Sequence, residues 1–139
     1  MSSPRTGHQC SNARDGTDVD LFDTSMIGLE RGMAGANLRE QVLSNNLANA
    51  NTPGFKRSDV DFHDVLAQAF AADDSGTQLS NLTFGIQNSG GTTMTADGNN
   101  VDVDTEMSDL AQNSLDYQGM TSVLASRVGI LKTAIGQTS

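Results

Sequence analysis

The stretch VDTEMSDLAQNSLDYQGMTSVLASRVGILKTAI, residues 103–135, carries the clearest structural signal in the chain. Its apolar and small residues follow alternating steps of four and three, the spacing of a coiled-coil seam. They stand at Val103, Met107, Leu110, Ser114, Tyr117, Thr121, Leu124, Val128, Leu131 and Ile135. At about 1.5 Å per residue such a helix is about 50 Å long. We therefore predict a C-terminal coiled-coil helix over residues 101–139.

A second segment with helical spacing lies near the start of the chain and predicts an N-terminal helix over residues 21–51. Asp23 or Thr24 offers an oxygen that can cap its first turn. Glu40 interrupts an otherwise apolar stripe. We predict that the two terminal helices pair as a coiled coil, so that the fold is mainly α. The predicted seam contains Met26, Leu29, Met33, Leu43 and Leu47 from the first helix and Val103, Met107, Leu110, Tyr117, Leu124, Val128, Leu131 and Ile135 from the last.

The first helix is expected to end near Ala50 or Asn51. The residue before a proline is pushed out of the α region, and Pro53-Gly54 fits the central pair of a type II turn. The segment 52–72 then reads as this turn followed by a short apolar helix or loop, with Ser58 or Asp59 as its capping residue. Its apolar residues are Phe62, Val65, Leu66, Ala69 and Phe70.

Residues 73–100 are mostly Gly, Ser, Thr, Asn and Asp, which predicts a flexible polar middle segment. Two weak strand signals, at residues 82–84 and 92–94, could form a small β-hairpin if other parts of the chain support it. Residues 1–20 contain almost nothing that could be buried, so we expect a disordered leader.

Composition excludes several classes of function. A formal charge of −9 and a pI near 4.3 argue against binding to nucleic acid or to anionic membranes. No apolar run is long enough for a membrane span, and the first 20 residues lack a general secretory signal. The single cysteine, Cys10, excludes an intramolecular disulfide. These features predict a chain that neither enters a membrane nor binds nucleic acid.

The terminal helices allow two interpretations. They can be the core faces of a helical hairpin in a compact domain, or long arms that pair while the middle of the chain loops out. The seam includes small and polar residues such as Ser114 and Thr121, so one helix pair would bury a thin core. The second interpretation therefore predicts that the isolated chain is only partly ordered and gains helix on assembly.

The amides in NNLANAN, residues 45–51, also leave two possibilities open. Asn is a poor helix former unless its side chain finds a partner. In an assembly, Asn45, Asn46 and Asn49 could fix the register between packed helices, as a buried Asn does in coiled coils. Alternatively they mark the fraying end of a helix that faces water.

The stretch NNLANANTPGFKRSDVDF, residues 45–62, resembles the N-terminal signature of the bacterial flagellar axial proteins, which include rod, hook and hook–filament junction subunits. The matching residues that we assign to an assembly motif are Asn45, Asn46, Leu47, Asn49, Asn51, Thr52, Pro53, Gly54, Phe55 and Lys56. Residues 101–124 are similar to the smallest members of the family, those of the proximal rod. The short middle segment agrees with them, and the resemblance covers about residues 20–137. Family members begin about where residues 19–22 stand, so residues 1–18 depart from the family. Because the codons of Val19 and Leu21 can also serve as bacterial start codons, we expect the true start near them.

This resemblance implies a structural subunit of the proximal rod, in the basal body of the bacterial flagellum, without enzymatic activity or cofactors. It implies that the terminal helices pair in an inner layer and that subunits polymerise into a hollow shaft that transmits torque. The implied partners are its own copies, other rod subunits, the adaptor between the rod and the membrane ring, and the flagellar type III export apparatus. Alternatives are another axial rod subunit or a cytosolic coiled-coil adaptor.

No sequence motif predicts a catalytic, cofactor or metal site. His8 and Cys10 stand close together, but His63 alone does not complete a set of metal ligands. Aspartates cluster at Asp59, Asp61, Asp64, Asp102 and Asp104. They lack the spacing of a calcium-binding EF-hand, and helix capping explains them better.

Overall fold

The structure, a computed structural model, describes residues 24–72, 77–90 and 95–136. The predicted leader over residues 1–20 lies outside these ranges, and so do the metal-site candidates His8 and Cys10. The proposed cap Asp23 and the second strand signal, residues 92–94, also lie outside them.

The two longest helices stand at the two ends of the described chain. α1 (Thr24–Ala48) and α4 (Val103–Gly136) pack antiparallel, with Asn46 beside Glu106 near one end and Met33 beside Thr121 further along. At 1.5 Å per residue, α1 is about 37 Å and α4 about 50 Å long. The last turns of α4 therefore extend past Thr24. The predicted fold class, mainly α with long paired terminal helices, is confirmed.

Glycines let other elements approach α1 closely. Gly28, Gly32 and Gly35 are buried and follow the four-three spacing of one helix face. A Cβ atom on Gly35 would lie 2.7 Å from the Cβ of Phe62, and one on Gly32 would lie 2.7 Å from the sulfur of Met120. Glycine costs about 1 kcal/mol relative to alanine inside a helix. Close packing against this face offsets that cost.

The short second helix, α2, spans Phe62–Ala72 and packs against α1. Its cap is Asp61, whose side-chain oxygen accepts a hydrogen bond from the Asp64 amide at 3.4 Å. The sequence prediction of Ser58 or Asp59 as the cap was wrong, because both residues form the short strand β1 (Ser58–Asp59). Helix formation starts later because Asp59 binds arginine side chains instead.

The small sheet in the structure joins two distant segments. β1 pairs antiparallel with β2 (Gln87–Asn88), with Ser58 opposite Asn88 and Asp59 opposite Gln87. The expected strand at residues 82–84 is absent from the described fold. Its Phe84 instead packs edge to face on Phe62, with the ring centres 6.4 Å apart. The middle segment also contains the short helix α3 (Thr77–Ser80), in which Leu79 is fully buried.

The apolar core is small and lies where α1, α2 and β1 meet. Its buried residues are Ala36, Val42, Val60 and Phe62, and the partly buried Leu38, Phe84 and Met120 pack against them. Leu43 and Leu79 are also fully buried. This core is thin, and partly buried apolar residues and buried polar contacts between the elements add to it.

α4 contacts α1 along a line that is shifted from the predicted seam. At several predicted positions, the residue one place earlier in the sequence is buried or partly buried instead. Leu110, Leu124 and Leu131 are partly buried, as expected for seam positions. The predicted seam residues Val103, Tyr117 and Ile135, however, are exposed, and so are Met107 and Val128, at 57% and 48%. The places of Met107 and Val128 are taken by polar residues one position earlier, Glu106 and Arg127. Asn113 likewise takes the place of Ser114, and Met120 that of Thr121.

The physical reason for this shift is that the buried polar residues have partners on other elements. Glu106 is fully buried and contacts Asn46 and Arg57, and the Asn113 amide donates to the Ala36 carbonyl at 2.9 Å. On α1, Met26, Leu29 and Met33 are half-buried and Leu43 is fully buried. A role for the exposed positions in a seam between subunits stays a prediction.

Candidate assembly site

A tight turn follows α1 at Thr52-Pro53-Gly54-Phe55. The Phe55 amide donates to the Thr52 carbonyl at 3.2 Å, and Gly54 has φ +74°. Both features fit a type II turn with proline and glycine in its centre, as the sequence predicts. Thr52, Pro53 and Gly54 are exposed. We call residues 52–55 the Pro-Gly turn.

The side chain of Asn99 caps the end of α1. Its Nδ2 donates to the carbonyls of Asn49 (3.0 Å), Ala50 (2.9 Å) and Thr52 (2.9 Å), while its Oδ1 accepts from the Val101 amide at 2.7 Å. These contacts fix the orientation of the amide. The Asn49 and Thr52 carbonyls also accept from the backbone amides of Thr52 and Phe55, so Asn99 adds to hydrogen bonds already present in the turn.

Residues 95–100, which we call the strap, run alongside the Pro-Gly turn. The Gly54 amide donates to the Asp97 carbonyl at 3.0 Å, and Lys56 Nζ donates to the Gly98 carbonyl at 2.6 Å. Within the strap, the Gly98 amide donates to the Thr95 carbonyl at 2.9 Å. Gly98 has φ +80°, a conformation that favours glycine. The end of the segment predicted to be flexible is therefore packed against the turn.

Asn46 holds the other edge of β1. Its Nδ2 donates to the Ser58 carbonyl at 2.7 Å, and its Oδ1 accepts from the Ser58 amide at 3.1 Å. This is the pair of hydrogen bonds that a neighbouring strand would make. The same Nδ2 also donates to the Glu106 carboxylate at 3.0 Å. One side chain therefore joins α1, β1 and α4.

An ion-pair network lies at the start of α4. Its members are Arg39, Arg57, Asp59, Glu106 and Asp109. The Arg57 guanidinium contacts the buried Glu106 carboxylate and donates to Asp109 at 2.8 Å. Arg39 donates to Asp59 at 2.9 Å. Because a buried charge without a partner costs several kcal/mol, Glu106 depends on Arg57 and Asn46.

The network changes the proton affinities of its members. Burial acts to raise the pKa of Asp59, but hydrogen bonds from Arg39 and the Val60 amide and the charges of both arginines hold it below its ordinary value. The hydrogen bond to Asp59 raises the pKa of Arg39. Burial works against the charge of Arg57, yet Glu106 and Asp59 raise its pKa overall. These shifts favour the charged forms of Arg39, Arg57 and Asp59.

Among the four amides of the predicted assembly motif, Asn46 alone is buried, at 1% exposure. Its partners lie in its own chain, on β1 and α4, and a role in register between subunits stays a prediction. Asn49 donates to the Asn45 carbonyl at 2.8 Å and accepts from Thr52 at 3.3 Å. Asn45 and Asn51 are exposed. Of the remaining motif residues, Leu47 and Phe55 are half-buried and Lys56 is exposed.

Large apolar side chains lie exposed along α4. They are Val103, Met107, Leu115, Tyr117, Val123, Val128, Ile130 and Ile135. Exposure is greatest near the end of the helix, at 67% for Ile130 and 70% for Ile135. At 3.6 residues per turn, most of them lie on one side of the helix, and Leu115, Val123 and Ile130 lie on other sides. Exposed apolar residues in this number mark a surface for protein contacts more often than a surface in water.

Comparison with known proteins decides the family. A family model described as flagella basal body rod protein matches residues 29–56, which include most of α1 and the Pro-Gly turn. The flagellar basal body rod protein FlgB of Bacillus subtilis (strain 168) is 34% identical over 125 residues, covering 84% of this chain and 97% of the relative. This chain belongs to the FlgB family of flagellar basal body rod proteins.

Other FlgB relatives agree. The protein of Aeromonas hydrophila is 38% identical over 110 residues, covering 71% of this chain and 83% of the relative. That of Escherichia coli (strain K12) is 34% identical over 126 residues, covering 79% and 91%. The family resemblance stated from the sequence is confirmed. The chain is a structural subunit of the rod and a component of the flagellar basal body.

The other candidates from the sequence have structural partners. Asp102 caps α4, because its Oδ1 accepts from the Asp104 amide at 3.0 Å. His63 lies 3.3 Å from Asp116 on the surface. Within residues 24–72, 77–90 and 95–136, no three His, Cys, Asp or Glu residues are grouped to hold a metal ion. None of the helices in those ranges combines the length and apolar character needed to cross a membrane.

Sequence reasoning missed the strap and the ion-pair network. The signal for the strap was Asp97-Gly98, a typical turn pair, directly before Asn99 and the helix start at Asp102. The signal for the network was weaker. Arg39, Glu106 and Asp109 are charged residues within helices whose apolar stripes are thin, and nothing local shows that they meet.

Proposed function

We propose that this FlgB-family subunit polymerises with its own copies and with other rod subunits through its terminal helices, and so forms part of the hollow shaft that transmits torque. The main observation behind this proposal is the number of exposed apolar side chains on α4. Each large aliphatic side chain that assembly buries contributes about 1.5–3 kcal/mol. Heterologous contacts that do not close on themselves would generate a helical tube.

The end of α4 is where we place the main contact between subunits. Ile130 and Ile135 are the most exposed large apolar residues in the described chain, and this part of α4 extends past the start of α1. The Pro-Gly turn, at the opposite end of α1, offers a second contact. Contacts at both ends of one elongated subunit suit axial stacking.

Besides its own copies, the proposal includes three partners. They are the other rod subunits, the adaptor between the rod and the membrane ring, and the flagellar type III export apparatus, which would carry the chain unfolded. The small apolar core supports this route, because a chain with few fully buried apolar side chains unfolds at a modest cost.

The test replaces Ile130 and Ile135 with aspartate in a strain that lacks the chromosomal gene. A charge at a buried contact costs several kcal/mol, so incorporation into purified basal bodies should fall by about tenfold or more and swimming should be lost. Ser122→Asp is the matched control, because Ser122 is an exposed polar residue of α4. Normal incorporation of both isoleucine variants would contradict the proposal. Wild-type protein that stays in the cytoplasm would instead favour a coiled-coil adaptor.

A further inference from the structure

We propose that Asn99 is a positioning residue that holds the Pro-Gly turn in the shape needed for assembly. This proposal rests on the proposed function, because it assigns the strap a task in subunit contacts. Asn99 lies about fifty residues from the turn in sequence, yet it packs against the turn and is only 1% exposed. The strap is thus an intramolecular support for an exposed surface element.

The hydrogen-bonding geometry shows why an amide is required at this position. Three carbonyl oxygens, those of Asn49, Ala50 and Thr52, converge within 3.0 Å on Nδ2 of Asn99. Only a hydrogen-bond donor is stable at the position of Nδ2, since an acceptor would be repelled by all three carbonyl oxygens. On the other side, the Val101 amide requires an acceptor and finds Oδ1 at 2.7 Å. Asparagine offers a donor and an acceptor in this arrangement.

The contacts of the strap cover the backbone of the turn, whereas Thr52 and Pro53 stay exposed. The Gly54 amide is bound by the Asp97 carbonyl, and the Thr52 carbonyl accepts from both Phe55 and Asn99. Thr52, Pro53 and Gly54 remain exposed. A loop whose backbone is already ordered loses less entropy when a partner binds its side chains. Preorganisation is therefore the physical benefit of the strap.

The strap itself is held in shape by its own hydrogen bonds. The Thr95 amide and hydroxyl both donate to the Asn99 carbonyl, at 2.8 and 2.7 Å. The Asp97 carboxylate accepts from the Asn99 amide at 3.2 Å and from the Thr95 hydroxyl. These contacts lower the pKa of Asp97, with the Thr95 hydrogen bond as the main cause. Asn99 thus projects from a closed turn.

The test compares Asn99→Ala and Asn99→Asp in the full-length chain. Aspartate has nearly the shape of asparagine but presents an acceptor to the three carbonyls. We expect the amide hydrogens of Thr52, Gly54 and Phe55 to exchange about tenfold faster in Asn99→Ala, and faster still in Asn99→Asp, at pH 7. At about pH 4 the protonated carboxyl can donate, so Asn99→Asp should regain protection relative to the wild type at the same pH.

Two outcomes would overturn the role in positioning. One is wild-type protection of the turn in Asn99→Asp, which would show that only the shape of the side chain matters. The other is an equal loss of protection throughout α1 and α4, which would show a general loss of stability. Asn37→Asp is the matched control because Asn37 is exposed on α1, and it should exchange like the wild type.

Swimming in the deletion strain tests the consequence for assembly. We expect the order wild type, Asn99→Ala, Asn99→Asp, from fastest to slowest, at matched protein levels. Asn99→Ala adds no charge and keeps the test usable if Asn99→Asp fails to accumulate. Wild-type swimming with a loosened turn would overturn this proposal and leave the rod function intact. Failure of the wild-type gene to restore swimming would count against the rod function itself.

Discussion

Buried amides in this chain take the place of backbone partners. Asn46 completes the hydrogen bonding of Ser58, as a neighbouring strand would. Asn99 completes that of the last carbonyls after α1. Buried polar groups that are fully paired specify one arrangement of the elements, because any other leaves them without partners. In a subunit with a small apolar core, these residues define the fold as much as the apolar ones do.

The buried amides should differ in what they contribute. Asn46→Leu removes both hydrogen bonds to Ser58 and one partner of Glu106, so it should lower the free energy of unfolding by about 2–4 kcal/mol. Asn113→Leu is the matched comparison. Its Oδ1 has no hydrogen-bond partner among the described residues, so the change should stay within about 1 kcal/mol of the wild type. Urea unfolding measures both values, and equal losses would contradict this account.

Acid should destabilise the subunit through Asp59. Its pKa in the folded chain lies below the ordinary value of 3.8, so its ion pairs stabilise the fold above that pH. This contribution is lost as the pH falls through the lower pKa of the folded state. Asp59→Asn should therefore lose less stability than the wild type between pH 5 and about pH 2.

Asp64→Asn is the control for this pH dependence, because Asp64 is exposed at the start of α2. Unfolding by urea over the pH series should give it a profile close to that of the wild type. If Asp59→Asn and the wild type lose stability in parallel on acidification, the ion-pair network does not account for the acid sensitivity.

At the scale of elements, close packing explains the buried glycine Gly35 in α1. Gly35 has a poor helix propensity, yet the Cβ and ring of Phe62 occupy the space where its side chain would be. Gly119 on α4 has no atom within 4 Å of a Cβ built on it. The two glycines therefore have different reasons to be present, although both lie inside helices.

This difference gives a paired prediction. Gly119→Ala should raise the free energy of unfolding by up to about 1 kcal/mol through helix propensity. Gly35→Ala gains the same helix propensity but forces Phe62 to shift. Overpacking of this kind costs about 1–3 kcal/mol. Thermal unfolding should show a higher midpoint for the first variant and a lower one for the second. A higher midpoint for both would mean that α2 does not pack tightly on α1.

The sequence predicts the elements well where their signal is local. α2 follows from the spacing of Phe62 and its neighbours, and the Pro-Gly turn from two residues. The contact line of α4 does not have a local signal. Glu106 can be buried because Arg57 and Asn46 pair with it, and both are distant in sequence. Apolar periodicity selects Met107 instead. Long-range polar contacts thus set the register that a local pattern misses by one residue.

The strap is a second feature that the local sequence does not predict. Its composition predicts flexibility, since Asp97, Gly98 and Asn99 could not bury an apolar surface of their own. They are packed because the carbonyls that follow α1 lie beside them and accept from the Asn99 side chain. The assembly motif, in contrast, is visible in the sequence as a whole, although its buried member, Asn46, serves the chain's own fold.

At the scale of the whole molecule, order should be uneven along α4. The start of the helix is held by Glu106, Asp109 and Asn113, whereas Ile130 and Ile135 near its end are mostly exposed. In the isolated chain, amides after about residue 124 should exchange far faster than those near Asn113. Assembly should then slow them. Uniform protection along α4 in the isolated chain would contradict this prediction and the expected gain of helix on assembly.

The central claim is that this FlgB-family chain forms part of the rod by burying the exposed apolar residues of α4 between subunits. A density map of the intact basal body tests it most directly. The account predicts this chain in the proximal rod, with Val128, Ile130 and Ile135 packed against neighbouring subunits. A rod that lacks the chain, or one in which these three side chains face solvent, would contradict it.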